Sequence, residues 1–335
     1  MKSMQPARTL AVGICALITL LAAAAILDRA WPPASALAAE KTPPLTLEQI
    51  PFDGRAAYEY LKQICAVGPR PSGSAGMVAQ QKVVSEHFQR LGAQVHFQEF
   101  RASNPLDQSS VPMANMIIEW YPDRTERILL CTHYDTRPLP DHDPHNVNGV
   151  HIGANDGASG LAVLMELGKW MPRLESKYGV DFVLFDGSRF VFKDGKWGKK
   201  GDPYFLGAEH FAKAYVSDPP PYKYRWGLML NMVGSQDLQV YEEMNSMSYR
   251  ATRPLVEDIW RAAYHTGVRD FVATRKDTVS DDHIRLNEIA KIPTCEIVDF
   301  DDPTWRTQQD IPQHCSPLSL AKVGWVVLQW LPQAK

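Results

Sequence analysis

The stretch Val180-Asp181-Phe182-Val183-Leu184-Phe185-Asp186-Gly187-Ser188-Arg189-Phe190-Val191-Phe192 decides the fold. Val180 to Phe185 is a short apolar run of β-formers, as in a strand buried on both faces. Asp186-Gly187 breaks it. In an open α/β sheet the loops at the carboxyl ends of the strands carry the chemistry, and Ser188 and Arg189 stand at such an end.

Outward from this strand, apolar β runs alternate with helical patterns. Strands are predicted over 93–100, 115–120, 128–131, 226–233 and 294–300. Helices are predicted over 52–66, 77–91, up to about Trp170, 204–215, 252–266 and 316–331, the last with Ser316 as cap and Pro317 at its first position. Gly92 suits a helix C-terminal cap. The polar stretches 138–151 and 278–283 read as loops. The class is α/β, a three-layer sandwich around a mixed, mostly parallel sheet.

The chain has 335 residues, 45% of them hydrophobic, and a formal net charge of -3. That supports a sizeable core, and nothing in it points to nucleic acid. Residues 1–40 differ from the rest. Lys2 and Arg8 precede an uncharged apolar run from Leu10 to Leu27, and Ala36-Leu37-Ala38 is a small-x-small cleavage pattern. This reads as a signal peptide or an uncleaved membrane anchor followed by a linker. Either places the single domain, 45–335, outside the cytoplasm, periplasmic or extracellular, with attachment to the membrane if the segment is kept. Cys65, Cys131, Cys295 and Cys315 lack metal-type pair spacing. They are either buried thiols or up to two disulfides.

Polar clusters fall at the ends of consecutive β elements: His133-Tyr134-Asp135, Asp156, Ser188-Arg189, Asn231-Met232-Val233-Gly234, Ser280-Asp281-Asp282-His283 and Trp305-Arg306-Thr307. With Gly68-Pro69-Arg70 and the run Leu206 to His210, their order resembles the zinc aminopeptidase and glutaminyl cyclase family. The glutaminyl-peptide cyclotransferase branch is the nearer one. The resemblance covers the chain from about Cys65 to Leu331.

The resemblance implies a zinc ion held by an Asp, a Glu and a His, with an open fourth position. It further implies a carboxylate that moves a proton. The Asp position is Asp156. The family's word Phe-Asp-Gly-Glu-Glu is here Phe185-Asp186-Gly187-Ser188-Arg189, so the ligand position is Arg189 and the proton-transfer position is Ser188. The family's Trp-His-Thr is here Trp305-Arg306-Thr307, so the late ligand position is Arg306. Aminopeptidase relatives hold a second zinc through a His and an Asp. The His position is His133, which is kept; the Asp position is Asn231, an amide.

Arginine has no lone pair to donate and stays protonated, and serine without an adjacent base does not shuttle a proton near neutral pH. No intact catalytic residue, metal site or cofactor is therefore predicted. Asp282 stands at the family's pocket carboxylate. Trp305 and Trp197 match, or stand near, aromatic walls of the substrate pocket. Arg189 and Arg306 are expected to supply the lost positive charge around Asp156, with spare donors for an anion. The reading is an exported glutaminyl-cyclase-like pseudoenzyme whose pocket suits a peptide N-terminus or small carboxylate. The alternative is an active cyclase or aminopeptidase on peptide N-termini with a remodelled metal site, drawing on His133, Asp156, Asp135, Asp282 and His283.

Overall fold

Strand β4, Gly179–Phe185, lies inside the sheet with all seven residues buried. Such a strand needs neighbours on both sides and layers on both faces. It pairs antiparallel with β2, Ser110–Trp120, and parallel with β3, Glu126–His133. The full order is β1-β2-β4-β3-β5-β8, where β1 is Gln94–Ser103, β5 is Lys223–Asn231 and β8 is Thr294–Val298. The pairs β4/β3, β3/β5 and β5/β8 are parallel, while β1 and β2 form an antiparallel hairpin on one edge. The computed structural model describes residues 43–190 and 204–335. Trp197 and the apolar leader lie outside these described residues. Residues Pro43–Lys335 form one compact unit.

The period of two along the strands sorts the two faces. Leu129, Cys131, Val183 and Phe185 pack with Ala208, Phe211 and Ala212 in one cluster. On the opposite face Phe182 meets Phe88 and Trp120 edge to face, and Gly160 lies against Thr132. Phe88 belongs to α2, Ala75–Arg90, which follows α1, Gly54–Ala66. Gly160 belongs to α3, Ala158–Gly168, a helix buried along its entire length. The cluster on the first face comes from α4, Leu206–Ser217. The C-terminal helix, Pro317–Trp330, packs on α1 and α3. A Cβ at Gly160 would stand 2.5 Å from Leu230 O and Thr132 Oγ1, so only glycine admits α3 this close to the sheet.

One charge is buried in the central strand. Asp181 is fully buried and is gripped by the Arg127 guanidinium, with Arg127 Nε donating to Asp181 Oδ2 at 2.8 Å. Tyr224 OH donates to the same oxygen at 2.6 Å. The carboxylate is tolerated because its acceptors are used.

The structure extends the sequence reading at three places. The β1/β2 hairpin runs well past the apolar core, pairing Ser103 with Ser110, because ladder hydrogen bonds rather than apolar burial hold an edge hairpin. A separate two-stranded parallel sheet joins β6, Val240–Glu243, to β7, Phe271–Lys276. β6 is too short and polar to show a strand pattern. In the predicted polar loop 278–283, Asp281 instead caps a short helix, Asp282–Arg285, followed by a π-helical turn, Leu286–Ala290. The four described cysteines are buried free thiols.

Candidate functional site

The parallel strands end at one edge, and their C-terminal residues converge there. His133 closes β3, Ser188 and Arg189 follow β4, and Asn231 closes β5. Asp156 sits in the loop opening α3. Asp281 and Asp282 sit at the start of the short helix after β7. All of these side chains are buried.

His133 is held at both ring nitrogens. Nδ1 donates to Asp135 O at 3.1 Å and Nε2 to Asn231 Oδ1 at 3.2 Å. Two acceptors require two N–H groups, so the ring is an imidazolium. Burial and Arg189 push its pKa down, but Asp135 and Asp156 outweigh them and raise it to about 10. Nε2 also stands 3.0 Å from Asp156 Oδ1.

Arg189 is the centre of the group. Its Nη1 and Nη2 donate to Asp281 at 3.0 and 2.7 Å, a bidentate fork. Its Nε stands 3.5 Å from Asp156 Oδ1. Burial raises the Asp156 carboxyl, yet Arg189 and His133 hold it well below the usual carboxylate range. Asp281 is lowered too, Arg189 overcoming burial. Two cations thus face two carboxylates. The loop carrying Arg189 is anchored from below, since Asp135 accepts from Arg189 N at 2.8 Å and Ser188 N at 3.2 Å.

Asn231 links the two charges. Its Oδ1 accepts from the imidazolium, and its Nδ2 donates to Asp281 Oδ2 at 2.7 Å. A carboxylate there has no proton to donate and adds a third negative charge beside Asp156 and Asp281. The amide is the residue this arrangement requires.

Ser188 Oγ donates to Asp282 Oδ2 at 2.5 Å. Burial and Asp281 raise Asp282 to about 7. Both side chains are fully buried. Ser188 thus has an adjacent base, which the sequence did not show, and the raised pKa makes Asp282 a stronger base than an ordinary carboxylate.

Of the two arginines expected around Asp156, Arg189 makes the ion pair with it, and Arg306 pairs with Asp141 while Asp156 also acts on its charge. Arg306 is fully buried, but its ion pair is with Asp141 at 3.7 Å. Asp141 also takes Arg137, whose Nε donates at 2.8 Å. Burial, then Arg137, lowers Arg306 to about 10. The nearest counter-charges to Asp156 are Arg189 and His133. The backbone of Arg306 is left-handed, φ 58°, and its guanidinium lies 4.2 Å from the Trp305 ring centroid. Trp305 also meets His142 edge to face. The structure therefore brings His133, Asp156, Ser188, Arg189, Asn231 and Asp282 together and sets Arg306 with Trp305 to one side.

Two residues were not singled out from the sequence. Asp281 was visible only as the first acid of Asp281-Asp282-His283. Its signal was Arg189 at the end of a buried strand, since a buried guanidinium must find a carboxylate. Asp141 lay in a polar loop with nothing to mark it.

The zinc that the resemblance implies does not fit these residues. At the Asp156 oxygen where an ion would bind, an imidazolium nitrogen and a guanidinium already stand within 3.5 Å. Neither offers a lone pair, and both repel a dication.

The profile of peptidase family M28 matches residues 115–331. A glutaminyl cyclase from Fimbriiglobus ruber is 38% identical in its solved structure, with a TM-score of 0.81 over 89% of this chain and 100% of that one. A leucine aminopeptidase precursor from Bacteroides thetaiotaomicron is 30% identical, with a TM-score of 0.78 over 85% of this chain and 98% of that one. The alkaline phosphatase isozyme conversion protein of Escherichia coli is 25% identical over 159 residues. That match spans 44% of this chain and 45% of that protein.

Proposed function

The chain belongs to peptidase family M28, and from that premise we propose that it is a member which has given up zinc chemistry and acts by binding. One observation carries this reading: Arg189, at the position of a metal-ligating carboxylate, is forked onto Asp281 with its Nε 3.5 Å from Asp156. Zinc in this fold would polarise a carbonyl while a carboxylate moved a proton. Here the first role meets two fixed cations, and the family position for the second is a buried serine that donates to Asp282. Its relatives include a glutaminyl cyclase and a leucine aminopeptidase precursor, and this chain shares their fold. The domain is exported, as the apolar segment and cleavage pattern at its N-terminus suggest. On this reading its ligand is a peptide N-terminus or small carboxylate, bound beside Trp305.

The test is direct. The purified full chain is assayed on peptides with N-terminal Gln and on aminoacyl substrates, with and without chelator, and its metal content is measured. The expected result is no turnover and no ion that depends on Asp156. Turnover abolished by chelator, together with zinc lost on Asp156→Asn, overturns the proposal.

A further inference from the structure

Far from the strand-end group, one edge of the sheet is open. β1 is the outermost of the six strands on that side. It pairs with β2 along its whole length, from Gln94 opposite Glu119 to Ser103 opposite Ser110, without a bulge. None of its ten residues is buried. We propose that β1 pairs antiparallel with β1 of a second copy of this chain, about a two-fold axis at Phe100, so that two six-stranded sheets join into one.

The backbone comes first. A strand with one neighbour uses half of its N–H and C=O groups and keeps the other half for a second strand. Among the described residues, the backbone of 95–103 bonds to no element but β2. Proline, lysine, a bulge and a short span are the usual means of blunting such an edge. β1 has none of them. Phe97 in its middle is 44% exposed.

Charge then selects the partner and the register. Side chains alternate between faces, and opposed residues of an antiparallel pair share a face, so a two-fold pairing of β1 with its copy must centre on a residue. Centring on Glu99 or on Arg101 sets like charges against each other. Centring on Phe97 or Gln98 gives both charges apolar partners. Centring on Phe100 sets Glu99 opposite the partner's Arg101 on both sides of the axis and Gln98 opposite the partner's Ala102. Two charge pairs then flank an aromatic centre, where interfaces concentrate their binding energy. Phe100 is already oriented, its ring stacked on His210 of α4 with centroids 4.7 Å apart. In the single chain Arg101 Nε and Nη2 donate to Ser110 Oγ and O at 2.7 and 2.9 Å. Those acceptors are neutral, and a carboxylate makes the stronger bond to a guanidinium.

The experiment is sedimentation of the full chain in detergent over a range of concentrations. A reversible dimer is expected. Glu99→Arg or Arg101→Glu alone sets two like-charge pairs across the axis and should weaken the dimer roughly tenfold or more. The two changes together exchange the charges, restore the opposition and should recover the parent's dissociation constant. Register is read with Phe100→Cys in a Cys15→Ser background, where the four described cysteines are buried thiols. Opposed residues have Cα atoms about 4.5–5.5 Å apart, within disulfide reach. Oxidation should therefore link two chains through position 100, and Ala102→Cys should not link. A monomeric parent overturns the inference, and so does a dimer that neither single reversal weakens. A monomer that instead takes an extended peptide along β1 overturns it as well. Turnover and metal content, which test the proposed function, are read separately and do not depend on this pairing.

Discussion

Arg189 grips Asp281 through both terminal nitrogens, at 3.0 and 2.7 Å, while its Nε stands 3.5 Å from Asp156. One side chain therefore serves two buried carboxylates, as an ion would. Replacing Arg189 with Ala leaves Asp281 without a counter-charge in contact and Asp156 with His133 alone. Breaking a buried pair by removing one partner costs about 3–5 kcal/mol. Urea denaturation should show a loss of that order. Arg189→Lys keeps the charge but loses the fork, and should fall between Arg189→Ala and the unsubstituted chain. Equal stability of all three would mean that the guanidinium contributes nothing to the fold.

Restoring the family's ligands should restore metal binding only as a set. The combined change Ser188→Glu, Arg189→Glu, Arg306→His and Asn231→Asp is expected to bind zinc and to be less stable than the parent without it. A thermal midpoint that rises on adding zinc, with one ion per chain, is the measurement. Arg189→Glu alone adds a carboxylate to Asp156 and Asp281 and should be the least stable of the series. If the combined variant binds no zinc, the pocket has changed beyond these four positions.

Asp282 supplies a pH signature. Its folded pKa is raised to about 7 from an ordinary value near 3.8. An acid with a raised folded pKa holds its proton in the native state after the unfolded chain has lost it. Stability is then fully present below about pH 4, declines through the window from 4 to 7, and is lost above it. Asp282→Asn mimics the protonated form and can still accept from Ser188. It should be near neutral at low pH and stabilising at pH 8, by on the order of 1–3 kcal/mol. Denaturation curves at pH 5 and pH 8 decide the matter; a variant equally destabilised at both would show that Asp282 is ionised throughout.

Arg127 and Asp181 form a buried pair in the middle of the sheet, far in role from the strand-end group. Asp181→Asn should cost a few kcal/mol because a guanidinium is left buried without its counter-charge. The double change Arg127→Met with Asp181→Leu should recover part of that loss, since apolar side chains leave no charge to satisfy. Additive losses in the double variant would contradict this account.

Much of this protein was legible in order alone. The apolar run Val180 to Phe185 is a strand buried on both faces because β-formers without a polar alternation have no face to give to water. The alternation of strand and helix patterns set the α/β class, and the family resemblance implied that Ser188, Arg189, Asn231 and Arg306 stand where its metal and proton-transfer residues would be. Arginine cannot ligate, whatever surrounds it.

What remained for the tertiary structure was pairing. Nothing local tells Arg189 that its carboxylate is Asp281, 92 positions away, or tells Arg306 that it will stand beside Asp141. Ion pairs are chosen by distance and by the cost of leaving a buried charge alone, and both exist only once the strand ends have been brought to one edge. The same holds for His283, a buried imidazolium between Glu243 and Glu296: the three share no motif and meet only because β6, β8 and a short helix pack together.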